Sequence, residues 1–154
     1  MRLFSQWQAR SDDPETRKRA AAKLGVPGDA KAVAALVPLL GDPDPSVRAA
    51  AAEALGRTGE ASAVGPLLDA ARGLDGVPET ARAPLHAAVA SALRATGRGA
   101  VPALLGALSG KDQRVREVVV EALGGIGTPD AIPALVAALG DERSSVRQAA
   151  ARSL

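Results

Sequence analysis

Cysteine is absent from this 154-residue chain. That removes disulfides, thiolate metal sites and cysteine nucleophiles together, and fits a reducing compartment, here expected to be the cytoplasm. Tyrosine is also absent, and Phe4, Trp7 and His86 are each the single residue of their type. No apolar run reaches the roughly 18 residues of a membrane span. Met1–Arg10 carries no apolar core of signal-peptide length. Charge of one sign is missing as well, because 19 basic and 17 acidic residues leave a net +2. The high pI of about 9.5 therefore reflects arginine on a nearly balanced chain and says little about nucleic acid. The richness in Arg, Ala, Gly and Pro suits a GC-rich bacterial genome.

What is present is repetition. Leu24, Leu55, Leu93, Leu123 and Leu154 follow one another at steps of 31, 38, 30 and 31 residues. Seven residues before each stands Arg17, Arg48, His86, Arg116 or Arg147, preceded by Thr16, Val47, Leu85, Val115 or Val146. The fullest copy is Asp44-Pro45-Ser46-Val47-Arg48, continued by an alanine-rich helix to Leu55-Gly56. A period this regular signals stacked units that bury one continuous core.

Asp13-Pro14 and Asp44-Pro45 carry helix-start chemistry, aspartate as N-cap and proline at the first helical position. Gly25 with Pro27-Gly28, Gly56-Arg57-Thr58-Gly59 and Gly124-Gly125-Ile126-Gly127 read as helix ends. Between the copies, helices are expected over 31–40, 61–72, 100–105 and 131–136, the last two matching position by position as Ala-Val/Ile-Pro-Ala-Leu-Leu/Val. Leu3, Phe4 and Trp7 share one helical face and are expected to cap the open apolar end, over about residues 1–11. The period slips at Gly73–Glu79, where two glycines and a proline mark an insertion and a candidate hinge. The chain thus reads as a single all-α domain, 1–154, of ten helices in five antiparallel pairs.

These motifs resemble the HEAT-like repeat family, in the short-repeat form of the phycobilisome lyases. The resemblance covers about residues 12–154 and rests on Asp-Pro-x-x-Val-Arg, Ala-Ala-x-Ala-Leu-Gly and Ala-Val/Ile-Pro-x-Leu-Leu. It implies a right-handed, armadillo-type α-solenoid, with the Val-Arg helices on the concave face and the Pro-containing helices outside. It also implies an aspartate–arginine ladder between successive units: Asp13/Arg17, Asp44/Arg48 and Asp112/Arg116, with Arg147 in the last unit. In the middle unit Arg82 and His86 take those slots, which weakens the ladder beside the insertion. Ala83-Pro84-Leu85-His86 resembles the ankyrin motif, but no other unit repeats it.

Catalytic chemistry finds little purchase. His86 has Ser91 five residues on, poorly placed for a nucleophile–base pair on a helix. Asp12-Asp13 and Asp42-x-Asp44 precede helix starts, where caps belong, so no metal site is expected. Gly124-Gly125-Ile126-Gly127 follows a helix, whereas a phosphate loop follows a strand. Arg10, Arg17, Lys18, Arg19 and Lys23 form a basic cluster at one end, but Glu53, Glu117 and Glu121 interrupt the stripe a nucleic-acid groove would continue, and no aromatic is there for stacking.

Two outward columns run along the copied helices: Ala22, Glu53, Ser91, Glu121 and Arg152, and Lys18, Ala49, Ala87, Glu117 and Gln148. They grade from basic through small and neutral to acidic, a surface suited to another helix or an extended segment. The function expected is non-catalytic protein recognition through Lys18, Arg19, Glu53, Ser91, Glu117, Glu121 and Arg152, with no cofactor, metal, nucleic acid or membrane. The alternatives are an accessory subunit of an enzyme, in the manner of a bilin lyase partner, and a purely structural repeat scaffold. Val146, Ala150 and Leu154 leave the last helix without a following unit. That edge is exposed, covered by another chain through self-association, or continued by further sequence.

Overall fold

The computed structural model describes residues 5 and 8–154. The expected cap residues Leu3, Phe4 and Trp7 lie outside the described residues. Among the described residues, nine α-helices follow Gln8 in order: α1 (Pro14–Leu24), α2 (Ala30–Leu36), α3 (Pro45–Thr58), α4 (Val64–Arg72), α5 (Glu79–Ala95), α6 (Val101–Leu108), α7 (Gln113–Ile126), α8 (Ile132–Ala138) and α9 (Ser144–Ser153). Short 3-10 turns lead into α4, α6 and α8, and another extends α2 through Val37–Gly41, where Pro38 lacks the N–H an α-helix would use. Among the described residues there is no strand, and no helix is long and apolar enough to cross a membrane.

The odd-numbered helices are the sequence copies, and they stack on one another in chain order: α1 on α3, α3 on α5, α5 on α7, α7 on α9. The even-numbered helices form a second row, each packed on the copy that follows it. The core is one continuous cluster between the rows. Its largest fully buried side chains are aliphatic, among them Leu36, Leu55, Leu67, Leu93, Leu104 and Leu123. The molecule is an all-α repeat array.

Local chemistry accounts for the helix starts. The Asp13 carboxylate accepts from the backbone N–H groups of Glu15 and Thr16, Asp44 from Ser46, and Asp112 from Arg114 and Val115. Each satisfies donors that the first turn leaves open.

The helix ends fall at the last glycine of each expected stretch. Gly56 does not terminate α3, which continues to Thr58 and ends on the left-handed Gly59; α7 likewise passes through Gly124 and Gly125 and ends at Gly127. The glycines after the closing leucines serve packing. A Cβ on Gly25 would stand 2.7 Å from the Ala54 Cα, and one on Gly56 2.6 Å from the Ala92 Cα. At Gly124 it would meet Ser153 of α9, and at Gly125 the Arg94 side chain of α5. At Gly25 and Gly56 the copied helices touch backbone to backbone, and only glycine leaves room.

The insertion is anchored. Gly73–Gly76 winds into a 3-10 turn whose Leu74 is fully buried, and Val77 is buried beside it. Arg82 donates to the Leu74 and Val77 carbonyls, and Arg114 of α7 reaches Asp75 at 3.1 Å. At the far end Val146 and Ala150 are buried, while Ile132, Val136 and Leu139 expose an apolar stripe on α8 together with Leu154.

The close approach predicts a contrast between two glycines. Gly56→Ala should lower unfolding free energy by about 1–3 kcal/mol through overpacking. Gly106→Ala, exposed inside α6 with nothing within 4 Å of its Cβ, should raise it by about 0.5–1 kcal/mol. Leu74→Ala should cost about 2–5 kcal/mol if the insertion is part of the core. Urea unfolding of the three variants measures all of these.

Candidate functional site

Arginines organise the junctions, and their acid partners are not those expected. Asp13, Asp44 and Asp112 are occupied as N-caps, so their carboxylates are turned into their own helices. The rung carboxylate sits two residues before the N-cap of the next unit. Arg17 donates Nε to Asp42 Oδ2 at 2.7 Å and Nη2 to Oδ1 at 2.8 Å. Arg116 does the same to Asp141, at 2.8 and 3.2 Å, and adds Glu142. These are two-pronged, charge-assisted forks, the strongest geometry available to an arginine. Asp42 and Arg116 are both buried, so neither is a solvated surface pair.

Each registered arginine also holds its own loop. Nη1 of Arg17, Arg48, Arg116 and Arg147 donates to the carbonyl six residues back, at Ser11, Asp42, Gly110 and Asp141, over 2.7–3.0 Å. Asp42 is therefore a hub: its carboxylate takes Arg17 from the preceding unit and its carbonyl takes Arg48 from its own. Asp141 plays the same part for Arg116 and Arg147.

The ladder stops on both sides of the middle unit. Gly76 and Gly110 occupy the rung position there, two residues before the N-caps Pro78 and Asp112. Arg48 Nε is buried and has no hydrogen-bond partner among the described residues. His86 joins α5 to α7 in another way, with Nε2 3.0 Å from Glu121 Oε2.

The outward columns lie on the open side of the copied helices. Glu53, Ser91 and Arg152 are exposed; Lys18, Glu117 and Glu121 are half-buried. Lys18 lies 3.5 Å from Glu15, and Arg152 3.7 Å from Glu121. Ser91 accepts a long hydrogen bond from Arg94. A shallow trough of about 370 Å³ runs between α1, α3 and α5, floored by Ala49, Ala50 and Ala81 with Lys18 and Glu53 at its rim. Arg19 is exposed and does not line it. A smaller depression of about 250 Å³ gathers Ala87, Ser91, Arg94 and Glu121.

His86, Glu117 and Glu121 present one donor atom each within 4.8 Å of one another. Sequence spacing alone did not show this trio, because His86 and the two glutamates belong to different units. The His86 hydrogen bond holds the Glu121 carboxyl below its usual range, against the opposing effect of burial. Arg114 approaches Glu117 at 3.7 Å and Arg152 approaches Glu121. Each carboxylate thus already faces a cation.

An all-α array whose paired helices repeat with capped starts and arginine junctions is a helical repeat scaffold. The chain belongs to the HEAT repeats: the family model matches residues 3–83 and again 79–154. Among solved structures it is similar to a chain in the complex of CpcE and CpcF of phycocyanin lyase from Nostoc sp. PCC7120, at 30% identity and a TM-score of 0.59, over 99% of this chain and 63% of that one. This chain thus spans under two thirds of that relative's length. Two engineered proteins are also similar, at 27% and 25% identity with TM-scores of 0.53 and 0.51, over 99% of this chain and 77% and 78% of theirs. No curated protein matches.

The rungs predict a pH dependence. The Arg17 hydrogen bonds hold the Asp42 carboxyl below its ordinary value, and Arg116 does the same for Asp141. A lowered folded-state pKa contributes stability that is complete above the unfolded value of about 3.9 and is lost as pH falls through the folded one. Asp42→Asn and Asp141→Asn should each lower Tm at neutral pH, and the gap to wild type should narrow below about pH 4. Thermal melts across pH 2.5–7 (chosen to bracket that range) test this.

Proposed function

We propose that the chain is a non-catalytic protein-interaction module. It takes a helical or extended segment of a partner protein along the open side of its copied helices. The observation that supports this most directly is the alanine-floored trough between α1, α3 and α5, lined also by Lys18 of α1 and Glu53 of α3. Small side chains let a partner backbone approach closely, and the flanking charges of opposite sign would set its direction. Further along the same face, Ser91, Glu117, Glu121 and Arg152 would extend the contact beyond the trough. Membership of a repeat family whose solved relatives include one half of a two-protein complex is consistent with this reading.

The second reading, an accessory subunit of a lyase-like enzyme, is favoured by the 30% identity to a chain of the phycocyanin lyase complex over 99% of this sequence. In both readings the work of this chain is recognition.

Capture from a native lysate on immobilised protein separates them. The interaction reading expects a protein retained by wild type and by Ala137→Arg, an exposed change on α8, but lost with Ala49→Arg and weakened with Glu53→Lys. Identical capture by all four proteins overturns it. A change in bilin absorbance on addition of this protein with its captured partner is expected only under the lyase reading.

A further inference from the structure

A cleft of about 460 Å³ opens at the unit junction where the ladder breaks, between Leu40 after α2, Pro66 and Ala70 on α4, and Val77 and Leu85 at the start of α5. Arg48 and Gly76 both line it. Arg48 occupies the same register as Arg17 and Arg116, and its Nη1 is held in the same way, by the Asp42 carbonyl at 2.8 Å. In those two arginines, Nε and Nη2 then grip the two oxygens of a rung aspartate. At Arg48 the rung residue is Gly76, which has no carboxylate, and the buried Nε has no partner among the described residues. The Asp42 carboxylate is committed to Arg17, and Asp69, which also lines the cleft, pairs with Arg72. A buried guanidinium N–H with no acceptor is costly, and one already oriented by its neighbour can donate to an oxyanion once the cleft lining gives it room.

We propose that this cleft is a binding site for a carboxylate bearing a short aliphatic group, the carboxylate taking the place of the missing rung on Arg48. The apolar walls formed by Leu40, Val77 and Leu85 receive the aliphatic part. Two sources share that chemistry: a free aliphatic acid and the C-terminal carboxylate of a peptide ending in an aliphatic residue. The cleft and the alanine-floored trough share no lining residue, although Arg48 and Ala49 are neighbours on α3.

The test is NMR titration of the full chain with isovalerate, following the Arg48 Nε–H resonance. The neutral isostere isovaleramide is the control. Isovalerate should shift that resonance saturably and isovaleramide should not. Gly76→Asp builds the absent rung: its Cβ meets nothing within 4 Å and its backbone is outside the left-handed region. That variant should melt higher than wild type and bind isovalerate at least about tenfold more weakly, the loss expected when a charged hydrogen-bonding partner is already taken. Arg48→Lys keeps the charge but removes the fork, and while remaining folded should lose the saturable shift that isovalerate gives wild type at the resonances of Val77 and Leu85, which line the cleft. No saturable shift at Arg48, an equal response to isovaleramide, or unchanged binding in Gly76→Asp overturns the proposal. An acetylated Val-Leu dipeptide compared with its C-terminal amide identifies the source. Tighter binding of the free acid than of isovalerate assigns a peptide terminus; the reverse assigns a small acid.

Discussion

Direct contact between helix backbones is the constraint on which this array rests. Gly25 against Ala54, and Gly56 against Ala92, leave no space for even a methyl group. Helices brought that close bury their neighbours' alanines completely, Ala20, Ala51 and Ala54 among them. Such packing needs little side-chain volume, because dispersion contacts come from the main chain and Cβ atoms themselves. This explains how the core among the described residues is built without aromatics. Bulk is required only between the two rows, and there leucine and valine supply it. Gly124-Gly125 follows the same logic twice over, one glycine admitting α9 and the other the Arg94 side chain that replaces glycine in the middle copy.

Charge is layered on this frame. Asp42 and Asp141 each gather two arginines, one through a carboxylate and one through a carbonyl. The hubs lie near the two ends, and the junctions on either side of the insertion use other means. Arg82 and Arg114 tie down the inserted turn, and His86 reaches Glu121 across the open face. The middle of the array is held by individually distinct contacts where its ends are held by repeated ones.

The repeat, the helix order and the N-caps were legible in the sequence because each depends on local chemistry recurring at fixed spacing. Asp-Pro starts and aliphatic periodicity are of this kind. The roles of the glycines were not, since Leu-Gly at a helix end looks the same whether glycine terminates the helix or admits a neighbour. Asp44 and Asp42 were indistinguishable as cap and rung for a similar reason: both precede a helix start by one or a few residues. The recurrence of Asp141 two residues ahead of the last helix's N-cap was the signal that could have separated them. The trio of His86, Glu117 and Glu121 stayed hidden because it depends on how far α5 rotates against α7, and the seven-residue slip of the insertion obscures that register.

The carbonyl grip of each registered arginine survives whether or not a rung aspartate is present. Loop closure is thereby uncoupled from cross-linking. A single position, two residues ahead of each N-cap, decides whether an arginine fork joins adjacent units or other contacts must, as Arg114–Asp75 and His86–Glu121 do beside the insertion. The number of charge-assisted bonds across a junction is therefore set by one residue, separately from the loop that the same arginine closes.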